Sequence, residues 1–171
     1  MFRRLRQNAI WLACIVAAMA LPSAGAAAGH RWQHYLNARF GTRADYPADI
    51  FARSSTSDNG DGVRLTSQDG AVLTIFGSWN ALEQTPETLA ASLQENDPQR
   101  YGAVTYREVK PKLLVLSGIR QGRVFYERRA FGDPSGAVHA MIIEYPLARR
   151  RSYDPLVVRL SRSLGWVSER R

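Results

Sequence analysis

The sequence is poor in cysteine, histidine and lysine, and these shortages exclude several classes of site. Its single cysteine, Cys14, lies inside an apolar N-terminal run. A chain processed after that run therefore has no disulfide crosslink and no thiolate zinc site. Histidine occurs three times, and the basic residues are 21 arginines and two lysines. The sequence also contains no glycine-rich phosphate loop and no dinucleotide-binding fingerprint.

Long apolar runs are also scarce, and the one near the N-terminus predicts export. Three arginines in the first six residues precede an apolar run from Ala9 to Leu21, which ends at Pro22 and the small-residue stretch SAGAAAG. A membrane-spanning helix needs about 20 apolar residues, and this run is shorter. The order matches a secretory signal. We predict a cleaved secretory signal peptide over residues 1–26 and a single α+β domain over residues 27–171, periplasmic or secreted in a bacterial cell.

Cleavage is expected after Ala26 or after Ala28, and retention of the run as an anchor is the alternative. Removal of the signal takes away three arginines and leaves 20 basic against 15 acidic residues. The remaining chain, about 145 residues, is long enough to close one core. Export argues against nucleic acid as a partner.

Alternation of apolar and polar residues predicts a mainly β chain. A first strand is expected over Phe40 to Tyr46, and Val63 and Leu65 alternate with polar neighbours as in a half-buried strand. A Gln-Asp-Gly turn signal then leads into a strand over Ala71 to Trp79. Four antiparallel strands are expected in the second half, over residues 103–109, 112–120, 123–131 and 137–145.

Two helices complete the predicted fold. Thr85-Pro86-Glu87 supplies a capping hydroxyl, a proline at the first helical position and an acidic first turn. A second helix is predicted to begin at Asp154-Pro155, and its apolar face contains Leu156, Val157, Leu160 and Leu164. The pattern predicts an α+β fold, with an antiparallel sheet of about six to seven strands and two main helices packed on it.

Several of these elements carry a resemblance to a known fold. YLNARFGTRADYPADIF, the NGDG turn, TSQDG and the meander that ends in a capped helix resemble the PsbP-like fold, an α/β/α sandwich. RFG…DYP and SxDG also resemble segments of uncharacterised exported proteobacterial proteins. The resemblance covers most of residues 31–167 and implies a binding or assembly role. It implies no catalytic residue.

The segment SDNGDGV, from Ser57 to Val63, has part of a calcium-loop pattern. With Ser57 at position 1, Asn59, Asp61 and Gly62 fit positions 3, 5 and 6, but Gln68 occupies the position of the bidentate carboxylate. Alternation from Val63 onward indicates a strand where a calcium loop needs a helix. We interpret the segment as a hairpin turn, because Asn-Gly and Asp-Gly favour positive φ.

The histidines and one serine are the first candidates for chemistry. His30 and His34 are four residues apart and share a face if this segment is helical, which is the minimum for two metal ligands. A serine hydrolase would use Ser117 as nucleophile with His139 and Asp133, but the glycine-flanked elbow of that class is absent. We interpret His139 as a packed or surface residue in a strand.

Two carboxylates are the other enzymatic candidates. Glu127 and Glu144 fall on neighbouring predicted strands and form a carboxylate pair in a hydrolase. The alternative is that they pair with Arg128 or Arg107 on the surface. We predict no metal and no cofactor.

Aromatic and basic residues form the predicted binding surface. The aromatic residues precede the first strand, and the arginines lie in two short runs: Trp32, Tyr35, Phe40, Arg128, Arg149, Arg150 and Arg151. The alternatives are a lid on the core for the aromatic residues and a solvated loop for the arginines.

The function predicted from the sequence is that of an exported, non-enzymatic binding or assembly module with a protein partner in the cell envelope. A small envelope hydrolase and an envelope protein that binds anionic lipid through its arginines are the alternatives.

Overall fold

The structure is a computed structural model and describes residues 29–167. The predicted signal peptide, with Cys14, lies outside the described residues. Within them the chain forms ten strands and three helices. In chain order these are β1 (Trp32–Leu36), β2 (Thr42–Pro47), β3 (Arg53–Thr56), β4 (Gly62–Thr66), β5 (Val72–Trp79), α1 (Pro86–Asn96), α2 (Pro98–Tyr101), β6 (Val104–Lys110), β7 (Leu113–Arg120), β8 (Arg123–Ala130), β9 (Ala137–Pro146), α3 (Arg150–Ser163) and β10 (Gly165–Trp166).

Seven of the strands form one antiparallel sheet in the order β3-β4-β5-β9-β8-β7-β6. This confirms the predicted α+β class and the upper bound of the predicted strand number. The strands after α2 form an unbroken meander, and β9 then pairs with β5 to join the two halves of the chain. A second sheet, in the order β1-β2-β10, was not predicted.

The large sheet is covered on both faces. On one face, α3 and the small sheet bury a cluster that includes Leu73, Ile75, Met141 and Leu160, all with no exposed surface. On the other face, α1 and α2 cover a smaller cluster that includes Leu114. Full burial of one such side chain stabilises the fold by roughly 1.5–3 kcal/mol. The result is a three-layer sandwich.

Local signals place several elements correctly. In β4, Val63 and Leu65 are buried and Arg64 between them is exposed, as the alternation predicts. Helix α1 has Thr85 as its N-cap, and the Thr85 hydroxyl accepts a hydrogen bond from the Thr88 backbone N–H while the Thr88 hydroxyl accepts one from Thr85. These reciprocal bonds satisfy two backbone donors at the helix start.

The predicted start of the last helix is wrong. Helix α3 begins at Arg150, so that Pro155 is its sixth residue, and the proline removes only the hydrogen bond to the Arg151 carbonyl. Asp154 does not cap the helix. Its carboxylate accepts hydrogen bonds from the Tyr145 hydroxyl at 2.7 Å and from Arg150 Nε at 3.0 Å.

Four short elements were also missed: β1, β3, α2 and β10. Each has two to five residues and little apolar alternation; all four residues of β3 are exposed. Their sequences therefore carry no periodic signal. Among residues 29–167, no helix has both the length and the apolar character needed to cross a membrane.

Candidate functional site: a cleft at one end of the sheet

An open cleft of about 500 Å³ lies at the end of the sandwich where β5 ends and β9 begins. We call it the end cleft. Four separate segments line it: the turn from Leu36 to Gly41, Trp79 at the end of β5, the segment Asp133–Ser135 before β9, and Val167 after β10.

Three large apolar side chains in the walls of the end cleft are half exposed to solvent. Leu36, Trp79 and Val167 are 54%, 55% and 53% exposed, and all three line the same cleft. Phe40 forms its base, 8% exposed, with its ring edge-on to Trp79 at 5.2 Å between centroids. Large apolar side chains that cluster at the surface are typical of an interaction site.

The turn that carries Phe40 is held by the buried side chain of Asn37. Its Oδ1 accepts hydrogen bonds from the backbone N–H groups of Arg39 at 3.1 Å and Phe40 at 2.8 Å. Its Nδ2 donates to the Gly60 carbonyl at 2.8 Å, which fastens this turn to the β3–β4 turn. Gly41 has φ +67°, a conformation that glycine adopts without steric cost. The end cleft is thus built on a rigid support.

The segment from Ser57 to Val63 is a hairpin turn, as predicted. It joins β3 to β4, with Thr56 opposite Val63 in the register. The Asp61 carboxylate accepts hydrogen bonds from the Ser57 hydroxyl at 2.5 Å and from Asn59 Nδ2 at 2.8 Å. The bond from Ser57 is the main cause that lowers the Asp61 pKa, with a smaller contribution from Asn59. The carboxylate is used to close the turn.

A buried polar chain lies beneath the end cleft. The His139 side chain has no exposed surface, and its Nδ1 lies 2.8 Å from Thr42 Oγ1 while its Nε2 lies 2.8 Å from Asp133 Oδ2. The Trp166 ring stacks on the imidazole with centroids 5.1 Å apart. Burial lowers the His139 pKa, against the opposing effect of Asp133. A neutral imidazole beside a carboxylate donates from Nε2, so that Thr42 donates its hydroxyl proton to Nδ1.

The order hydroxyl, imidazole, carboxylate resembles the catalytic triad of a hydrolase, but the hydroxyl is buried where no substrate can reach it. Thr42 has no exposed surface, and its Oγ1 would lie 2.5 Å from a Cβ added to Gly77. A substrate therefore has no route to the hydroxyl. Asp133, which also accepts the Ser135 backbone N–H at 2.9 Å, is the one member that reaches the end cleft. Burial works to raise its pKa, but the bonds from Ser135 and His139 outweigh it, and the pKa is lowered.

Ser117 is separate from this chain of residues. His139 lies opposite Ala130, and Ala130 opposite Leu113, which is four residues away from Ser117 along β7. Four residues of strand span about 13 Å. The Ser117 hydroxyl instead donates to the Phe125 carbonyl at 2.8 Å. The structure thus brings together His139 and Asp133 and excludes the serine.

Glu127 and Glu144 lie on neighbouring strands, as predicted, and each contacts arginine. Glu127 is fully buried and accepts hydrogen bonds from the Tyr101 hydroxyl at 2.7 Å and Arg129 Nε at 2.6 Å. Glu144 pairs with Arg100 at 2.7 Å. The arginine partners are therefore different from the Arg128 and Arg107 of the sequence interpretation. Both carboxylates are used in ion pairs.

The two N-terminal histidines do not converge on a metal. His34 lies in β1 and not in a helix, so the four-residue spacing separates the two side chains along extended chain. His30 contacts Asp49 at 2.7 Å, and His34 contacts Asp45 at 2.8 Å. Within residues 29–167, no three side chains of His, Cys, Asp or Glu are grouped as metal ligands.

The aromatic residues of the predicted binding surface are divided by the structure. Phe40 lies in the end cleft, whereas Trp32 and Tyr35 pack partly buried against the main core. The Arg159 guanidinium lies 4.0 Å from the centroid of the Trp32 ring and covers one face of it. Trp79, the last residue of a strand in the sequence prediction, is half exposed in the end cleft.

The arginines of the predicted surface lie elsewhere. Arg128 Nη1 donates to Ser161 of α3 at 3.2 Å. Arg149 ends a short 3₁₀ turn after β9, and Arg150 and Arg151 begin α3; this is the opposite end of β9 from the end cleft, and all three are exposed. They are helical and not a solvated loop.

Sequence reasoning missed Leu36, Asn37, Arg39, Trp79 and Val167 as members of one site. These residues lie in separate segments of the chain, and no shared sequence pattern connects them. They come together because β2 pairs with both β1 and β10. A turn of apolar residues around Asn, LNARF, was the one local signal.

Comparison with known proteins places the fold within a class. No protein-family model matches the chain, and no curated protein matches it either. The three-layer α+β sandwich is shared with a solved structure, the solution structure of cyanobacterial PsbP (CyanoP) from Synechocystis sp. PCC 6803. The two agree with a TM-score of 0.58 and 13% sequence identity, over 86% of this chain and 99% of that chain. The chain has a PsbP-like fold, and at this identity the likeness shows the fold alone.

Proposed function

We propose that this protein is an exported, non-enzymatic binding module of the cell envelope that holds a protein partner in the end cleft. The observation that carries the proposal is the meeting of Leu36, Trp79 and Val167, each about half exposed, around the ring of Phe40. Aromatic anchors with surrounding apolar contacts are typical of the energetic centre of a protein interface.

The shape of the end cleft favours a protein segment over a small molecule. Its volume is within the range of ligand sites, but small ligands are usually enclosed over most of their surface. Here three wall residues expose half of their own surface to solvent. Arg39 and Asp133 add one charge of each sign to the lining. A partner segment with a large apolar side chain, flanked by polar groups, complements this surface.

The absence of enzymatic activity is supported by the contacts of the reactive side chains. His139 is covered by Trp166, Glu127 is buried against Tyr101 and Arg129, and Ser117 bonds to a backbone carbonyl. These contacts give each group a structural role.

Export is supported by the arginines and the apolar run at the N-terminus.

The test is site-specific photocrosslinking in the native cells. A photoreactive phenylalanine derivative replaces Leu36 in the end cleft, and in a matched control it replaces Leu82, which is 80% exposed and outside the cleft. We expect one discrete protein adduct from position 36 and none from position 82. Peptide sequencing of the adduct identifies the partner.

The same crosslinking experiment is repeated with the substitution Trp79→Ala. The melting temperature of this variant should stay close to that of the wild type, because the Trp79 side chain is half exposed. The adduct should be lost, since truncation of a central aromatic anchor costs on the order of 2 kcal/mol or more of binding, about 30-fold in Kd. Equal adducts from both positions, or an adduct that survives Trp79→Ala, would refute the proposal.

A further inference from the structure

The end of the molecule opposite the end cleft is strongly basic. Arg120 and Arg123 flank the β7–β8 turn, and Arg149, Arg150 and Arg151 follow β9. We call these five residues the basic end. Only the last three were singled out by sequence, because the others are distant from them along the chain.

Three turns are joined at this end by direct hydrogen bonds. The Leu147 backbone N–H donates to the Gly122 carbonyl at 2.8 Å, which fixes the start of α3 to the β7–β8 turn. Arg123 Nη2 donates to the Gly70 carbonyl at 2.9 Å, and Arg149 Nε donates to Asp69 at 3.0 Å. These two bonds attach the β4–β5 turn, which contains Asp69 and Gly70, to the same end of the molecule. The basic residues therefore lie on one surface.

Charge is distributed unequally between the two ends. The basic end and its immediate neighbour Arg100 carry six arginines, and the carboxylates that contact them are four: Asp69, Asp97, Glu144 and Asp154. The loops around the end cleft carry two cations and four carboxylates, namely Arg39, Lys112, Asp58, Asp61, Glu83 and Asp133. The molecule is electrically polar along β9.

A small cavity at the basic end, between Arg100, Arg120 and Arg123, has a volume of about 20 Å³, too small for a ligand group. Two aliphatic side chains project beside the arginines: Ile119 is 43% exposed and Leu147 is 38% exposed. A surface of arginines with isolated exposed aliphatic residues among them suits a broad anionic partner.

We infer that the basic end docks on an anionic membrane surface, where the guanidinium groups contact lipid phosphates. Arginine matches phosphate geometry through its planar fork of donors. Exposed aliphatic residues among cations add burial at the headgroup boundary. Because β9 has 10 residues and spans about 30 Å, docking at this end holds the end cleft away from the lipid. This inference is independent of what occupies the end cleft.

Vesicle cosedimentation tests the inference, with the protein purified from the exporting host as that host processes it. Phosphatidylcholine vesicles are compared with vesicles that contain about one third phosphatidylglycerol, at low salt and at about 0.5 M salt. We expect binding to the anionic vesicles alone, lost at high salt because screening removes exposed charge interactions.

The decisive variant is Arg149→Gln/Arg150→Gln/Arg151→Gln. We expect it to reduce partitioning roughly 10- to 100-fold, since each cation near an anionic surface raises partitioning several-fold and two of these three are partly neutralised by carboxylates. The matched control, with the same change in net charge, replaces arginines that are exposed but lie away from the basic end: Arg64→Gln/Arg107→Gln/Arg162→Gln. It should bind like wild type.

A second variant guards against damage to the fold. Arg120→Gln/Arg151→Gln removes side chains that form neither a hydrogen bond nor an ion pair with other residues of the range 29–167, and it should also weaken binding. Several outcomes would overturn the inference: equal losses in the two triple variants, binding to the neutral vesicles that salt does not change, or no binding to the anionic vesicles. A discrete protein adduct from a photoreactive phenylalanine derivative at Leu147, together with unchanged vesicle binding by the first triple variant, would instead assign the basic end to an acidic protein.

Discussion

Replacement of His139 by leucine is expected to destabilise the protein by roughly 2–5 kcal/mol. The side chain is fully buried, and leucine fills a similar volume without either nitrogen. Two hydrogen bonds are lost, each worth about 1 kcal/mol net, and the buried Thr42 hydroxyl left without its acceptor costs about 1–3 kcal/mol. Loss of the stack on Trp166 adds about 0.5–1.5 kcal/mol, and the burial of leucine offsets part of the sum.

The same residue predicts a pH dependence whose sign follows from its burial. Burial lowers the His139 pKa below its usual value of 6.5. As the pH falls through 6.5, the unfolded chain therefore takes up a proton that the folded protein does not. Stability is lost over this interval, down to the folded pKa, with a slope of at most about 1.4 kcal/mol per pH unit.

Urea unfolding followed by circular dichroism, from pH 7.5 to 5, measures both effects for wild type, His139→Leu and a control. The control is His34→Leu, because the His34 side chain is about half exposed and its contact with Asp45 is worth less than about 1 kcal/mol. The difference in unfolding free energy between wild type and His139→Leu should shrink as the pH falls. A His139→Leu protein within 1 kcal/mol of wild type, or a difference independent of pH, would refute the assignment of a neutral, doubly bonded imidazole.

Two further substitutions test the packing beneath the end cleft and the acid response. Gly77→Ala should destabilise the protein by about 1–3 kcal/mol, because the added Cβ would overlap Phe40; a melting temperature equal to wild type would contradict this packing. Burial works to raise the Asp69 pKa, but hydrogen bonds from Ser67 and Tyr153 outweigh it and hold the pKa at about 2. Asp69→Asn should therefore cost up to about 2 kcal/mol at neutral pH, and the cost should vanish as the pH falls from 4 to 2. Acid titration of both proteins measures it, and a cost that is constant with pH would count against the carboxylate bonds.

The strands that carry strong alternation could be predicted from the sequence. Val63 and Leu65 mark β4, and the apolar run from Ala71 marks β5, because one face of each strand must be buried. The start of α1 is equally local, since Thr85 caps its own helix. The start of α3 could not be predicted in this way. Asp154-Pro155 is a good helix-start signal, but the apolar contacts of Tyr153 with Phe51 and Tyr145 continue the helix upstream of it.

Some residues of the candidate sites could likewise be identified from the sequence, whereas their partners could not. Phe40 was identified as a surface candidate because aromatic residues stand out in a sequence, and it does line the end cleft. His139 and Asp133 were considered together, and the structure joins them, but to Thr42 and not to Ser117. No local pattern relates Thr42 to His139, which is 97 residues away.

The sequence by itself determined the strand and turn pattern, and with it the α+β class, because side-chain alternation and turn chemistry act over a few residues. Only the tertiary structure decided which exposed residues meet. Leu36, Trp79 and Val167 come from β1, β5 and the residue after β10, and Arg120 and Arg151 come from the end of β7 and the first turn of α3. Their proximity follows from strand pairing between distant segments, which is set by the burial of the whole sheet and not by any segment alone.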